Sequence, residues 1–283
     1  MSLIEVKGLI KSYGEVQAVR GIDLEIQKGE IFSILGPNGA GKTTTVEILE
    51  GFRKRDSGIV SVLGFDPEVK GNASREWRNR IGIVLQNSTD AGDLTVKETI
   101  QHFSGYYSNP KNVDQVIEAV GIADKKNSLI RKLSGGQRRR LDVALGIIGN
   151  PQLLFLDEPT TGFDPEARRS FWALVENLRA SGTTIVLTTH YLDEAEALSD
   201  RVAIINNGSI LEISTPDELG GRATALATVQ WREGNVMKKE TAANPTAFVA
   251  QLSNHFAGDV PELIVSRPSL EDIYLEMIGD THE

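Results

Sequence analysis

Short apolar runs bounded by turn residues recur along the chain: EIFSILG (30–36), RIGIVLQ (80–86), LLFLDEP (153–159) and TTIVLTTH (183–190). LLFL shows no polar alternation, the pattern of a strand covered on both faces in a parallel sheet. Helical patterns lie between the runs. In DPEARRSFWALVENLRAS, Asp164 stands as N-cap and Pro165 at the first helical position. Strand and helix in alternation predict an α/β fold with a mostly parallel sheet. The first 30 residues and ILEGFRKRDSGIVSVLG are short-patterned and β-rich. They predict an antiparallel sheet beside the parallel one.

From about 87 to 150 the pattern becomes helical and forms an insertion between two sheet segments. VKETIQHFSGYY puts Val96, Ile100, Phe103 and Tyr107 on one helical face, and DQVIEAVGI follows in the same manner. Leu141, Ala144, Leu145 and Ile148 repeat at helical spacing further on. VAIINNGSILEI reads as two strands around Asn207-Gly208, a pair suited to a tight hairpin turn. A composition shift near 220 divides the chain into a domain 1–219 and a small α/β domain 220–283. In the latter, GGRATALATVQW predicts a linker and one strand, and NPTAFVAQLSNHF a helix. RPSLEDIYLEMIG predicts a second helix, with Ser269 and Asp272 in capping-box positions.

Length fits about two domains, and 40% hydrophobic with 24% charged residues is enough for a packed core. A net charge of -9 argues against broad nucleic-acid binding, which needs a positive surface. The chain has no cysteine, which excludes disulfides, thiolate metal sites and a cysteine nucleophile. Glu5 and Lys7 interrupt any signal-peptide apolar region, and no window has the roughly 18 apolar residues of a membrane span. The expectation is a chain that does not itself cross a membrane.

Gly36-x-x-x-x-Gly41-Lys42-Thr43 follows a predicted strand and opens a predicted helix. In that context the glycines turn backbone N–H groups toward phosphate oxygens, and the helix N-terminus favours negative charge. Lys42 is placed to reach the β- and γ-phosphates and Thr43 to ligate Mg²⁺. LLFLDEP carries Asp157 to the carboxyl edge of the sheet, where it can hold Mg²⁺. Glu158 follows, where a carboxylate beside the γ-phosphate can polarise the attacking water; an acidic pair can also cap the next helix. His190 ends one strand run and can be structural or functional. Gln86 ends another, with an amide able to reach Mg²⁺ or the attacking water.

GPNGAGKTT (36–44), Gln86, LSGGQ (133–137), LLFLDEP, TGFDP (161–165) and TTH (188–190) stand in the order and spacing of an ABC transporter ATP-binding subunit, which the chain resembles from residue 3 to about 219. The resemblance implies a P-loop NTPase cassette: a RecA-like parallel core, an antiparallel β subdomain and a helical insertion. It implies nucleotide contacts along Gly36, Pro37, Asn38, Gly39, Ala40, Gly41, Lys42, Thr43 and Thr44. It implies ATP and Mg²⁺ as cofactors and head-to-tail pairing with a second cassette. In that pairing Ser134, Gly135, Gly136 and Gln137 of one chain cover the ATP of the other. Tyr13 matches the aromatic that stacks on adenine, and Gln86 the residue that senses Mg²⁺. Asp164 matches the residue that communicates between the sites, and His190 the one that contacts the γ-phosphate. Phe163 departs from the family's usual leucine but is still apolar and should pack. The Arg138-Arg139-Arg140 run reads as a solvated or permease-facing helix side. The RPSLED tail resembles drug-exporter ATPases of the daunorubicin-resistance type. The implied function is export through a separate membrane permease, from the inner face of the cell membrane, without nucleic acid. An importer ATPase and a soluble ABC ATPase remain the alternatives.

Overall fold

The computed structural model describes residues 2–85 and 93–279, which divide into two compact units, Met1–Ile213 and Ser214–Glu283. The first contains, in chain order, β1 (Ser2–Tyr13), β2 (Val16–Gln27), β3 (Ile31–Leu35), α1 (Lys42–Leu49), β4 (Ser57–Val62), α2 (Asn72–Arg78) and β5 (Ile81–Val84). The chain continues through α3 (Val96–Ser104), α4 (Val113–Ala119), α5 (Gly135–Ile147), β6 (Leu153–Asp157), α6 (Pro165–Ala180), β7 (Thr184–Thr189), α7 (Leu192–Leu198), β8 (Arg201–Asn206) and β9 (Ser209–Ser214).

Six strands form the central sheet in the order β5-β6-β7-β3-β8-β9. The pairs β5–β6, β6–β7, β3–β7 and β3–β8 are all parallel. The uninterrupted apolar run at LLFL has a direct cause. Leu154 and Leu156 enter the core on the helical side, while Leu153 and Phe155 enter the core on the opposite side. Both faces are dry, so no position along β6 is left for a polar residue. The β8–β9 turn places Asn207 and Gly208 at φ 48° and 79°, the left-handed pair that matches strand twist in a two-residue hairpin.

A second sheet, β2-β1-β4, is antiparallel throughout. Its Ile4, Val6, Leu24, Ile26 and Val60 share a core with Phe32 and Phe155 of the central sheet. On the other side, α3, α4 and α5 stand between β5 and β6, as the helical pattern predicts. The predicted four-residue stripe on α3 is shorter than expected. Val96 and Ile100 are buried, but Phe103 is 37% exposed, and the helix ends at Ser104, before Tyr107. The Ser104 hydroxyl donates to the Gln101 carbonyl at 2.7 Å and Gly105 follows, two local features that favour termination.

The second unit holds β10 (Ala227–Glu233), β11 (Val236–Ala242), α8 (Pro245–His255), β12 (Ile264–Ser266) and α9 (Leu270–Gly279). One strand was predicted here and three are present, in the antiparallel order β11-β10-β12. Trp231 of β10 packs on Phe248 of α8 with ring centres 5.8 Å apart. Ser269 and Asp272 exchange a reciprocal pair, Asp272 N–H to Ser269 Oγ at 3.1 Å and Ser269 N–H to Asp272 Oδ2 at 2.8 Å, the predicted capping box.

Candidate nucleotide site

Strand register builds the site. Leu35 pairs with Thr189, and Asp157 with Thr188, so β3, β6 and β7 end level with one another. Gly36, Glu158 and His190 therefore leave the sheet side by side at its carboxyl edge, where open α/β sheets bind ligands.

Gly36 and Gly41 are fixed by close approach. A Cβ on Gly36 would meet the Ile205 carbonyl oxygen at 2.2 Å, and one on Gly41 would meet the Ala18 carbonyl oxygen at 2.4 Å. Gly41 also sits at φ 103°, a conformation that favours glycine. The Gly208 N–H donates to the Ala40 carbonyl at 2.9 Å, tying the loop to the β8–β9 turn. Lys42 is buried, and its ammonium donates to the Gly36 carbonyl at 2.7 Å and the Pro37 carbonyl at 3.1 Å. Burial lowers its pKa, while the Glu158 and Asp157 carboxylates oppose that shift. A cavity of about 150 Å³ opens over the loop, lined by Asn38, Gly39, Gly41, Lys42, Thr43 and Thr44, with Ala18 and Glu158 at its sides. Backbone N–H groups at a helix start and one buried cation suit phosphate oxygens.

Asp157 Oδ1 accepts a short hydrogen bond from the Thr188 hydroxyl. Glu158 lies at φ 42°, a left-handed conformation that costs a bulky residue on the order of 1–3 kcal/mol. Its N–H donates to the Thr188 carbonyl and hydroxyl, each at 3.1 Å. Its Oε1 stands 3.3 Å from His190 Nδ1, and Oε2 accepts from Thr161 Oγ1 at 3.4 Å. The Thr43 hydroxyl and Asp157 carboxylate are hard oxygen donors. Among the described residues there is no cluster of three or more acidic or histidine ligands. Few protein ligands, with phosphate oxygens and water completing the shell, is the usual Mg²⁺ arrangement, so these residues fit the ion.

The remaining predicted residues lie apart from this cavity's lining. Ser134 caps α5: its Oγ accepts the Gln137 N–H at 3.3 Å, and Gln137 Oε1 accepts the Ser134 N–H at 3.1 Å. Gly135 and Gly136 line a groove of about 410 Å³ with Glu158, Thr161, Gly162 and Phe163. Asp164 caps α6 through the Ala167 N–H at 2.8 Å and is exposed. Phe163 packs edge-on against Phe171 at 5.9 Å. Tyr13 is 40% exposed, with the Arg53 guanidinium 5.1 Å from its ring centre. Gln86 lies outside the described residues.

The arginine run corrects the sequence reading. Arg139 is buried, not solvated, and Arg140 donates to the Val120 carbonyl and Ser170 hydroxyl, each at 2.6 Å. Helix phase could have found this, because Val143 and Gly146, four and seven residues on, are buried on the same face. Composition gives no such signal for Ala18 or Thr188.

Glu50, at the end of α1, is another residue that carries no signal in the sequence. Burial, then the Asp157 and Glu47 charges, push its pKa up from 4.5 to about 8. The folded protein keeps this proton to about pH 8, whereas the unfolded chain releases it near 4.5, so the carboxyl costs stability progressively as pH rises through that window. Glu50→Gln should stabilise the nucleotide-free protein by on the order of a few kcal/mol at pH 8 and by little at pH 4.5. Urea midpoints across that range measure it, and a gain independent of pH would contradict the assignment.

A buried strand, a glycine loop and a helix start at Lys42 define the P-loop class of nucleotide-hydrolysing α/β proteins. A family model described as ABC transporter matches residues 19–161. The chain is 41% identical over 304 residues to the Nod factor export ATP-binding protein I of Ralstonia nicotianae, covering 98% of this chain and 94% of that one. It is 40% identical over 310 residues to the daunorubicin/doxorubicin resistance ATP-binding protein of Streptomyces peucetius, covering 98% and 92%. A bacterial ABC transporter cassette solved as a dimer matches with a TM-score of 0.67 at 25% identity, over 75% of this chain and 98% of that one. The chain belongs to the ABC transporter family and is an ATPase.

Proposed function

We propose that this chain is the ATP-hydrolysing subunit of an exporter for drug-, antibiotic- or lipid-like substrates, working with a second cassette and a separate membrane permease. The roles of its relatives, Nod factor export and daunorubicin/doxorubicin resistance, support the direction and the substrate class. No helix among the described residues is long and apolar enough to cross a membrane, so the permease supplies the crossing. The working location is the inner face of the cell membrane. Residues 1–219 form the ATP-binding domain and 220–283 an accessory domain.

In this reading Lys42 neutralises the β- and γ-phosphates, and Tyr13 stacks on adenine after Arg53 moves off its ring. Mg²⁺, held by Thr43 and Asp157 with Gln86, would neutralise charge on the phosphate oxygens. Glu158 takes the proton of the attacking water, and His190 contacts both Glu158 and the γ-phosphate. Asp164 communicates between the two sites. The permease contacts the helical insertion near Asn87 to Leu94, a stretch mostly outside the described residues. An apolar groove of about 650 Å³ is lined by Phe52, Ile83, Leu85, Phe103, Tyr107 and Leu145.

One observation carries the head-to-tail arrangement. Among the described residues a Cβ on Gly135 or Gly136 would meet nothing within 4 Å beyond its own helix backbone, and neither backbone needs a left-handed φ. The chain's own fold therefore makes no demand for glycine there. A partner's γ-phosphate approaching the N-terminus of α5 makes that demand, because a side chain would hold it off. Gly135→Asp should leave ATP affinity of the monomer intact, since the chain's own phosphate loop is untouched. Dimerisation and hydrolysis should fail, because like charges meet in a dry interface. Loss of ATP affinity in the monomer itself would assign this stretch to its own chain's site.

A further inference from the structure

The left-handed backbone of Glu158 raises the question of what holds it there. Its own N–H is taken by Thr188, but the carbonyls of the residues before and after it are held from a different element. Arg139 of α5 donates from Nη2 to the Asp157 carbonyl at 2.8 Å and from Nε to the Pro159 carbonyl at 2.9 Å. These two carbonyls bracket Glu158 in the chain. A third donor, Nη1, makes a short hydrogen bond to the Leu85 carbonyl at the end of β5. The guanidinium is only 7% exposed as part of its residue, so the three bonds are largely shielded from water. Burial lowers the Arg139 pKa, and the charges of Asp142, Asp157 and Glu194 oppose that shift. The planar fork directs Nε, Nη1 and Nη2 to three separate carbonyls in a fixed geometry, whereas a lysine ammonium offers its three donors from a single point.

We propose that Arg139 is the positioning residue for Glu158: its fork holds the carbonyls of the residues before and after it, Asp157 and Pro159, and so supports the strained backbone that aims the carboxylate at the attacking water. The inference rests on the reading of Glu158 as the base and of α5 as the helix facing the partner's nucleotide. Arg139 lies in the second turn of that helix, so one rigid element carries the glycines presented to one site and the brace for the base of the other.

The test uses Arg139→Met and Arg139→Lys in the full chain, with and without Glu158→Gln. Met fills the space without donors, and Lys keeps the charge without the fork. Each should bind ATP within about twofold of the parent, with KM likewise unchanged, while kcat falls about tenfold or more. In the Glu158→Gln background, Arg139→Met should cause no further loss of single-turnover rate, because the group it positions is already gone. ATP-bound dimers should still accumulate there. Parent-level kcat in Arg139→Lys overturns the proposal, since charge alone would suffice. So does an equal fractional loss in the Glu158→Gln background, which would place the action of Arg139 elsewhere. If Arg139→Met does not fold, the Lys variant and its double with Glu158→Gln decide by the same criteria. Full activity of Glu158→Gln by itself is a separate outcome: it removes the base reading, and this inference with it.

Discussion

Glu158→Gln should bind ATP normally, turn it over roughly a hundredfold or more slowly, and accumulate as an ATP-bound dimer. The amide matches the carboxylate in size, and it can still meet His190, which stands 3.3 Å from Oε1, and accept from the Thr161 hydroxyl. It cannot take a proton from water at neutral pH. The phosphate loop is unaltered, so binding persists. On the proposed reading closure needs only bound ATP, so chains that cannot hydrolyse remain closed. Phosphate release in the steady state and size-exclusion chromatography with Mg-ATP read the two effects. Hydrolysis at the parent rate, or a species that stays monomeric at saturating Mg-ATP, would remove Glu158 from the role of base.

Lys42→Ala should lower ATP affinity by roughly a hundredfold or more, the order of one or two charge-assisted hydrogen bonds to phosphate. Lys42 is buried and already coordinates two loop carbonyls, so its ammonium is held near the phosphate position before ligand arrives. Burial lowers its pKa, and the Asp157 and Glu158 charges partly restore it; phosphate adds further negative charge, which favours the protonated form. Alanine removes that cation and leaves the cavity lined by backbone and the Asn38, Thr43 and Thr44 side chains beside the Glu158 carboxylate. Titration calorimetry measures the loss, and an unchanged affinity would falsify the phosphate-loop assignment.

Both variants concern residues that were visible in the sequence, and the reason is chemical. A glycine loop followed by Lys42-Thr43, and an acid pair after four apolar residues, are short local patterns tied to one context each. The alternating core assignments of Leu153 to Leu156 make the parallel sheet legible in the same way. Other features depend on partners far along the chain. The brace on Glu158 joins Arg139 to carbonyls at Leu85, Asp157 and Pro159, and three consecutive arginines do not reveal which one turns inward. β11 escaped notice because residues Val236 to Thr241 are all exposed, so no apolar alternation marks it. β12 spans only three residues. The end of α3 lies short of the sequence expectation because the apolar spacing continues to Tyr107 while Ser104 and Gly105 end the helix.

The phosphate loop is wedged from two directions, by the Ala18 carbonyl of β2 against Gly41 and by the Gly208 N–H on the Ala40 carbonyl. A loop already pinned loses little conformational entropy when a ligand arrives. The backbone from Gly39 to Thr43 should therefore shift little between nucleotide-free and nucleotide-bound protein. Tyr13 belongs to β1, which pairs with the same β2 that wedges Gly41, so on the proposed reading the base end and the phosphate end of a nucleotide meet one sheet. The phosphate end of the seat then stands ready before nucleotide binds, and on the proposed reading this leaves more of the binding free energy for drawing a second cassette into place.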